Sequence, residues 1–136
     1  MGNMFDDILN SPVSLSMRRR IITVSQDDPV SGLTYMMVKE DIGAVVVIEE
    51  GRPVGIITEK DILERVVQPG NNIFKTLAKD VMSKPVVSIE VSSPIKKALE
   101  LMKKKNIRRL AVMDNKSLVG LVTERRLLAG ILESIM

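Results

Sequence analysis

The segment Thr58-Glu59-Lys60-Asp61 places a hydroxyl and a carboxylate about one helical turn apart. A helix beginning here would offer unpaired backbone N–H groups and a partial positive charge, which suit a phosphate. The Asp61 carboxylate could accept two hydrogen bonds from the cis hydroxyls of a ribose. The same pattern is also a capping box, which satisfies helix-end donors without any ligand. Taken alone, the motif supports both interpretations.

A second copy, Thr123-Glu124-Arg125-Arg126, carries an arginine where the first copy has its second carboxylate. A guanidinium cannot accept hydrogen bonds from hydroxyls. If the motif binds a ligand, one copy is therefore expected to be competent and the other defective.

The two copies belong to an internal repeat. A shift of 65 residues lays Pro29–Leu63 on Pro94–Leu128 without a gap. Ten of the 35 positions are identical, and several of the others exchange one apolar residue for another. Such a repeat indicates two copies of one structural unit.

Each copy predicts the order β-α-β-β-α from its apolar periodicity and turn residues. Asp28 and Ser93 are the expected caps of the first helices, and Thr58 and Thr123 start the second ones. The expected strands are Ile21–Val24, Ala44–Ile48, Val54–Ile57, Val86–Ile89, Leu110–Met113 and Val119–Val122. The predicted fold is α/β (α+β), with two pseudo-symmetric repeats packed through their sheets. They span residues 13–68 and 78–134, after an N-terminal extension at 1–12.

Composition argues against an enzyme. The chain has no Cys and no His, which removes thiol chemistry, the commonest general base and the usual zinc, iron and copper ligands. No metal site and no catalytic residue are expected. No apolar run approaches the ~20 residues of a membrane span, and the start of the chain carries Asp6 and Asp7 where a signal peptide would be basic. We expect a cytoplasmic protein without a membrane partner.

Three motifs resemble the tandem CBS pair, often called a Bateman module. They are Asn106–Val112, the segment Gly55–Asp61 with its copy Gly120–Arg126, and Asp80–Ser83. The resemblance covers about residues 13–132 and implies a regulatory module that binds an adenosine-containing ligand in the cleft between its repeats. Such modules bind AMP, ADP, ATP or S-adenosylmethionine, need no further cofactor, commonly form dimers and regulate another domain or protein.

In this family a site combines the Thr and Asp of one repeat with segments of the other. The resemblance therefore implies a competent adenine-nucleotide site made of Thr58, Asp61, Val86, Val87, Ile107, Arg108, Arg109 and Arg125. A second, defective site would combine Ile21, Ile22, Gly43, Ala44, Thr123 and Arg126. The second site lacks the carboxylate and also the arginines that stand at 108 and 109 in the other copy.

Other functions remain open from the sequence. Residues 1–68 carry a formal charge of −4 and residues 69–136 carry +7, so the basic half could attract nucleic acid. Single-strand recognition uses aromatic platforms, however, and the only aromatic residues are Phe5, Tyr35 and Phe74. Arg108 and Arg109 could instead be solvated residues of an edge strand. The repeats could also form a ligand-free homodimer or protein-interaction scaffold.

Overall fold

The computed structural model describes residues 4–136. The chain divides into two compact units. The first-repeat unit is Arg20–Val86; the second-repeat unit joins the chain up to Arg19 to Val87–Met136.

The order of the elements agrees with the predicted doubled β-α-β-β-α pattern. The helices are α1 Met4–Asn10, α2 Val30–Glu40, α3 Glu59–Ile62, α4 Ala78–Val81, α5 Ile95–Lys105 and α6 Glu124–Ile135. The strands are β1 Thr23–Ser25, β2 Ala44–Glu49, β3 Arg52–Thr58, β4 Ser88–Glu90, β5 Arg109–Asp114 and β6 Ser117–Thr123. A 3₁₀ turn covers Val13–Leu15, and a π-helical turn covers Leu63–Val67 directly after α3. The predicted mixed α/β class is confirmed.

The two sheets have the same topology and the same register. In each, a central strand pairs in parallel with a short first strand and antiparallel with the strand that follows it, in the orders β1-β2-β3 and β4-β5-β6. Thr23 pairs with Val46, and the equivalent Ser88 pairs with Ala111. The shift of 65 residues seen in the sequence is therefore preserved in the strand pairing.

Each unit has its own hydrophobic core of aliphatic residues and methionine. In the first-repeat unit, Val45, Val47 and Ile57 of the sheet pack with Leu33 and Met37 of α2. In the second-repeat unit, Leu110, Val112 and Val122 cluster with Ala98 and Met102 of α5. The long helices are thereby held on their sheets by burial of apolar surface, the main favourable term in folding.

Both units also contain the segment that precedes the other repeat in the chain. Arg18 forms a β-bridge with Leu121, and the equivalent Ser83 forms one with Ile56. Pro12 likewise bridges Pro94, as Leu77 bridges Pro29. The repeats expected from the sequence are continuous stretches of chain, 13–68 and 78–134. In the structure, the leading segment of the first repeat, which ends at Arg19, belongs to the second-repeat unit, and the leading segment of the second repeat, which ends at Val86, belongs to the first-repeat unit.

Two local expectations were wrong. The first helices begin after Pro29 and Pro94, without a side-chain cap. The Asp28 carboxylate instead accepts a hydrogen bond from the Ser25 N–H at 2.8 Å, because an Asp side chain readily closes a local turn. The first strand of each unit also lies one or two residues later than expected.

Among the helices of residues 4–136, none is long and apolar enough to cross a membrane.

Candidate functional site

Thr58 and Asp61 form a reciprocal capping box at the start of α3. The Asp61 N–H donates to the Thr58 hydroxyl at 3.2 Å, and the Thr58 N–H donates to the Asp61 carboxylate at 2.9 Å. The Asp61 side chain is 14% exposed, so the carboxylate is mostly covered without being sealed from solvent. The capping interpretation of the motif is thus confirmed, and a carboxylate with about four lone-pair positions retains capacity for another partner.

Two residues outside the predicted sites surround the Asp61 carboxylate. Ser83 Oγ lies 3.5 Å from Asp61 Oδ1, and Arg65 Nη2 lies 3.8 Å from the same oxygen. Arg65 also donates to the Val81 carbonyl at 2.7 Å. The i, i+4 spacing of Asp61 and Arg65 was readable as a helix pair, but their link to 81–83 depends on the fold.

The second copy of the motif keeps the threonine cap and changes its surroundings. The Arg126 N–H donates to the Thr123 hydroxyl at 3.1 Å. The Arg126 side chain extends to the Ser16 carbonyl, where Nε donates at 2.9 Å. In this unit the side chain at the position of Asp61 is therefore a donor already engaged with the backbone.

The start of each central strand lies beside the threonine of its own unit. Ala44 pairs with Thr58, and Arg109 pairs with Thr123. The preceding residue accepts a backbone hydrogen bond from the following helix, since Glu59 N–H donates to Gly43 at 3.2 Å and Glu124 N–H donates to Arg108 at 2.9 Å. Each unit thus brings together the candidate residues contributed by one repeat.

An acidic side chain lies beside Gly43. A Cβ built on Gly43 would lie 2.7 Å from Glu59 Oε1. Gly43 is the equivalent of Arg108. An arginine side chain at position 43 would need space that the Glu59 carboxylate occupies. Glu59 is a residue that sequence reasoning treated only as part of the cap.

The second-repeat unit carries a group of exposed arginines, which are Arg108, Arg109, Arg125 and Arg126. Within residues 4–136, none of them forms a salt bridge with a carboxylate. The alternative interpretation of Arg108 and Arg109 as edge-strand residues is wrong, because β5 is the central strand of its sheet. These guanidinium groups give one end of this unit a positive charge.

The apolar candidate residues are distributed over both compact units. Val86 ends the first-repeat unit and Val87 begins the second-repeat unit, and both are half-buried. The Val87 carbonyl accepts from Ala111 at 3.0 Å, and the equivalent Ile22 carbonyl accepts from Val46 at 2.9 Å. Ile107 and Ile21 are half-buried, while Ile22 is buried in its core.

No cluster of carboxylates among residues 4–136 could hold a metal ion. The candidate groups are thus acceptors and a capped helix end in one unit, and guanidinium donors in the other.

Comparison with known proteins decides the family. The family model described as "CBS domain" matches residues 11–68 and 78–133. The chain belongs to the CBS domain family. As two CBS domains together, it is a regulatory module, which agrees with the resemblance seen in the sequence.

A relative among curated proteins is an uncharacterised protein of Methanopyrus kandleri, 40% identical over 113 residues. The match covers 82% of this chain and 58% of that relative. Another uncharacterised relative, from Methanocaldococcus jannaschii, is 30% identical, and this chain covers 30% of its length. This CBS pair therefore spans only part of the curated relatives that it matches first.

A solved structure supports the same fold. The CBS domain of a CBS domain-containing membrane protein from Sphaerobacter thermophilus is 26% identical, with a TM-score of 0.80. The match covers 93% of this chain and 91% of that one.

Proposed function

We propose that this CBS pair is a sensor that binds an adenine nucleotide (AMP, ADP or ATP) at one site to which both repeats contribute, and that it is not an enzyme. The observation that carries the proposal is the Asp61 carboxylate. It lies 14% exposed at a capped helix start in one unit, and its counterpart Arg126 binds a backbone carbonyl in the other.

The proposed roles follow from the chemistry of each group. Asp61 accepts hydrogen bonds from the ribose hydroxyls, and Thr58 and the helix start bind phosphate. Arg108, Arg109 and Arg125 supply positive charge for the phosphates, since guanidinium forms bidentate bonds to phosphate oxygens. Val86, Val87 and Ile107 contact the base through aliphatic side chains and backbone groups.

We propose that the second combination of residues binds no nucleotide. Arg126 offers no acceptor for ribose, and Gly43 and Ala44 offer no positive charge for phosphate. Thr123 and the buried Ile22 then have structural roles only.

A ligand of the S-adenosylmethionine type is the alternative within the same chemistry. A CBS domain pair of the same fold, 22% identical with a TM-score of 0.74, has been solved in complex with 5′-methylthioadenosine and S-adenosyl-L-methionine. These compounds share the adenosine part with the nucleotides and lack phosphates. The exposed arginines of this chain favour the nucleotides.

A homodimer is also part of the proposal, and a ligand-free scaffold is the second candidate function. Leu63 and Val67 in one unit and the equivalent Leu128 and Leu132 in the other are all about half exposed. Paired apolar positions in the last helical segment of each repeat are suited to contact with another protein surface. A partner protein of another kind would use the same positions.

Thermal unfolding with and without AMP, ADP, ATP or S-adenosylmethionine at millimolar concentration tests the proposal. A nucleotide in ~100-fold excess over its Kd should raise Tm by about 5–10 °C. Asp61→Ala should abolish the rise. Asp80→Ala is a matched control, because its carboxylate also accepts a helix-start N–H, that of Leu77 at 3.0 Å, and lies outside the proposed site.

The outcomes separate the candidates. A rise in wild type and in Asp80→Ala, with none in Asp61→Ala, supports a nucleotide sensor. A rise with S-adenosylmethionine alone favours the alternative ligand. No rise with any of the four compounds contradicts nucleotide sensing, and a dimer that persists in Asp61→Ala and Arg109→Ala then favours the scaffold.

A further inference from the structure

The contacts of Arg65 hold together two parts of the first-repeat unit. Arg65 follows Asp61 by one helical turn and donates to the Val81 carbonyl at 2.7 Å, while Nη2 remains 3.8 Å from the Asp61 carboxylate. Ser83, two residues after Val81, lies 3.5 Å from the same carboxylate. A single guanidinium therefore connects the helix start, the candidate ribose acceptor and the segment 81–83.

The second-repeat unit makes the equivalent connection from a different position. Ser16 corresponds to Val81 in the repeat, and its carbonyl accepts from Arg126 Nε at 2.9 Å. Arg126 corresponds to Asp61, whereas the counterpart of Arg65 is Gly130. Both units thus have a contact from a guanidinium to a backbone carbonyl, but in the second-repeat unit the arginine stands one helical turn earlier.

The difference has a direct consequence for acceptor chemistry. In a helix, residues four apart lie on the same face, so an arginine at either position can reach the leading segment. An arginine at position 65 leaves position 61, one turn earlier, available for a carboxylate. Arg126 stands at the equivalent of position 61 and therefore replaces that carboxylate.

We propose that Arg65 and Arg126 are two forms of one clamp on the leading segment, and that Arg65 is a positioning residue that holds Asp61 for the ribose of the bound nucleotide. The second part rests on the proposed function. The clamp itself does not, because its contacts lie inside each unit and involve no ligand.

Arg65 can orient the Asp61 carboxylate and still leave lone pairs available for a ligand. The Thr58 N–H uses one lone-pair position on Oδ2 at an ordinary distance, and the contacts at Oδ1 are long. A carboxylate has about four such positions. Removing the guanidinium would leave Oδ1 with only the long contact to Ser83 Oγ, and the geometry that the carboxylate offers to the ribose hydroxyls would become less well defined.

Ribose discrimination tests the positioning role. Isothermal titration compares the tightest-binding of AMP, ADP and ATP with its 2′-deoxy form, in wild type, Arg65→Lys and Arg65→Met. Wild type should prefer the ribose form by ~10-fold. Arg65→Met should reduce this ratio to ~1–3-fold, and Arg65→Lys, which keeps one charged donor, should retain part of it. A purely structural role would weaken both ligands equally and leave the ratio unchanged, which would overturn the positioning role.

A transplant within the second-repeat unit tests the clamp without ligand. A Cβ on Gly130 would lie 3.5 Å from Ser16 Oγ, an ordinary contact, so a Cβ fits at position 130. Arg126→Asp combined with Gly130→Arg moves the guanidinium one turn along, as in the other unit. Arg126→Asp with Gly130→Ala is the matched control, since alanine and arginine have similar helix propensity.

The arginine transplant should melt about 4 °C above the alanine control. Equal melting temperatures would overturn the clamp. If wild type binds none of the nucleotides, the proposed function and the ribose role of Arg65 both fail, while the melting comparison still decides the clamp. A rise in Tm with nucleotide and an unchanged ribose ratio in Arg65→Met would instead retain the proposed function and remove only the positioning role.

Discussion

The helices that follow the two hairpins begin alike and then diverge. Both start after a threonine whose hydroxyl accepts the N–H of the third helical residue. In the first-repeat unit, α3 gives way at Leu63 to a π-helical turn through Val67, whereas α6 runs unbroken to Ile135. Such π turns are found frequently at functional sites, and this one begins two residues after Asp61. The repeat thus preserved the scaffold while the chemistry at the helix start changed.

The leading segments also differ in the atoms that they place against β3 and β6. At Gly55 an added Cβ would meet the Met82 side chain, with Sδ nearest. At the equivalent Gly120 it would meet the Arg18 carbonyl oxygen at 2.6 Å, together with Met17. That carbonyl is fixed because it accepts the Leu121 N–H at 3.0 Å. Equivalent glycines therefore face a side chain in one unit and backbone in the other.

The largest effect is expected from replacing these glycines. Gly120→Ala should lower the free energy of unfolding by about 3 kcal/mol, because a backbone carbonyl must move and a β-bridge must distort. Gly55→Ala should cost about 1–2 kcal/mol, since a methionine side chain can adopt another rotamer. Urea unfolding of both variants measures the difference. Equal losses would show that the two leading segments are held equally firmly.

The shift of 65 residues predicted much of the fold. The strand order, the hairpins and even the left-handed residues that end the first helices repeat at this spacing, as Asp41 and Asn106 show with φ near 53° and 54°. Local periodicity and turn chemistry were sufficient for the order of the elements and for the hairpins, because both copies use the same short-range interactions. The order of the strands in each sheet and the left-handed helix ends were not predicted. The candidate residues Thr58 and Thr123 were likewise located correctly at helix starts.

Long-range contacts were not predictable from the pattern. The partner of Arg126 is Ser16, 110 residues away, and nothing in the spacing of either residue indicates the pair. The link between Arg65 and Val81 depends on the return of the leading segment to the sheet. Such contacts are set by tertiary packing, which overrides local signals, and they are the contacts that distinguish the two candidate sites.

A smaller effect is expected from the threonine caps, and it sharpens the comparison of the helix starts. Thr58→Ala and Thr123→Ala should each cost about 1 kcal/mol of stability, since each removes one acceptor from a helix-start N–H. Under the proposed function, only Thr58→Ala should also weaken nucleotide binding. Thermal unfolding with and without ATP measures both quantities, and Thr→Ser at each position should preserve the cap. A nucleotide defect in Thr123→Ala would show that the second site is occupied.

The smallest effect concerns an ion pair that only the first-repeat unit can form. Lys79 Nζ lies 3.2 Å from Asp27 Oδ1, and the equivalent positions are Ser14 and Ser92. The side chains are 47% and 76% exposed, so water and salt screen their attraction. Position 79 is in any case held by its backbone, because the Lys79 N–H donates to Gln26 at 3.0 Å.

A double-mutant cycle with Lys79→Ala and Asp27→Ala should therefore give a coupling energy below about 0.5 kcal/mol, which high salt removes. The first-repeat unit would then hold its leading segment by backbone bonds and by Arg65, as the second-repeat unit does with Arg126. A coupling above about 1 kcal/mol that survives high salt would contradict this account. It would mean that the first-repeat unit has a second, electrostatic attachment that the other unit lacks.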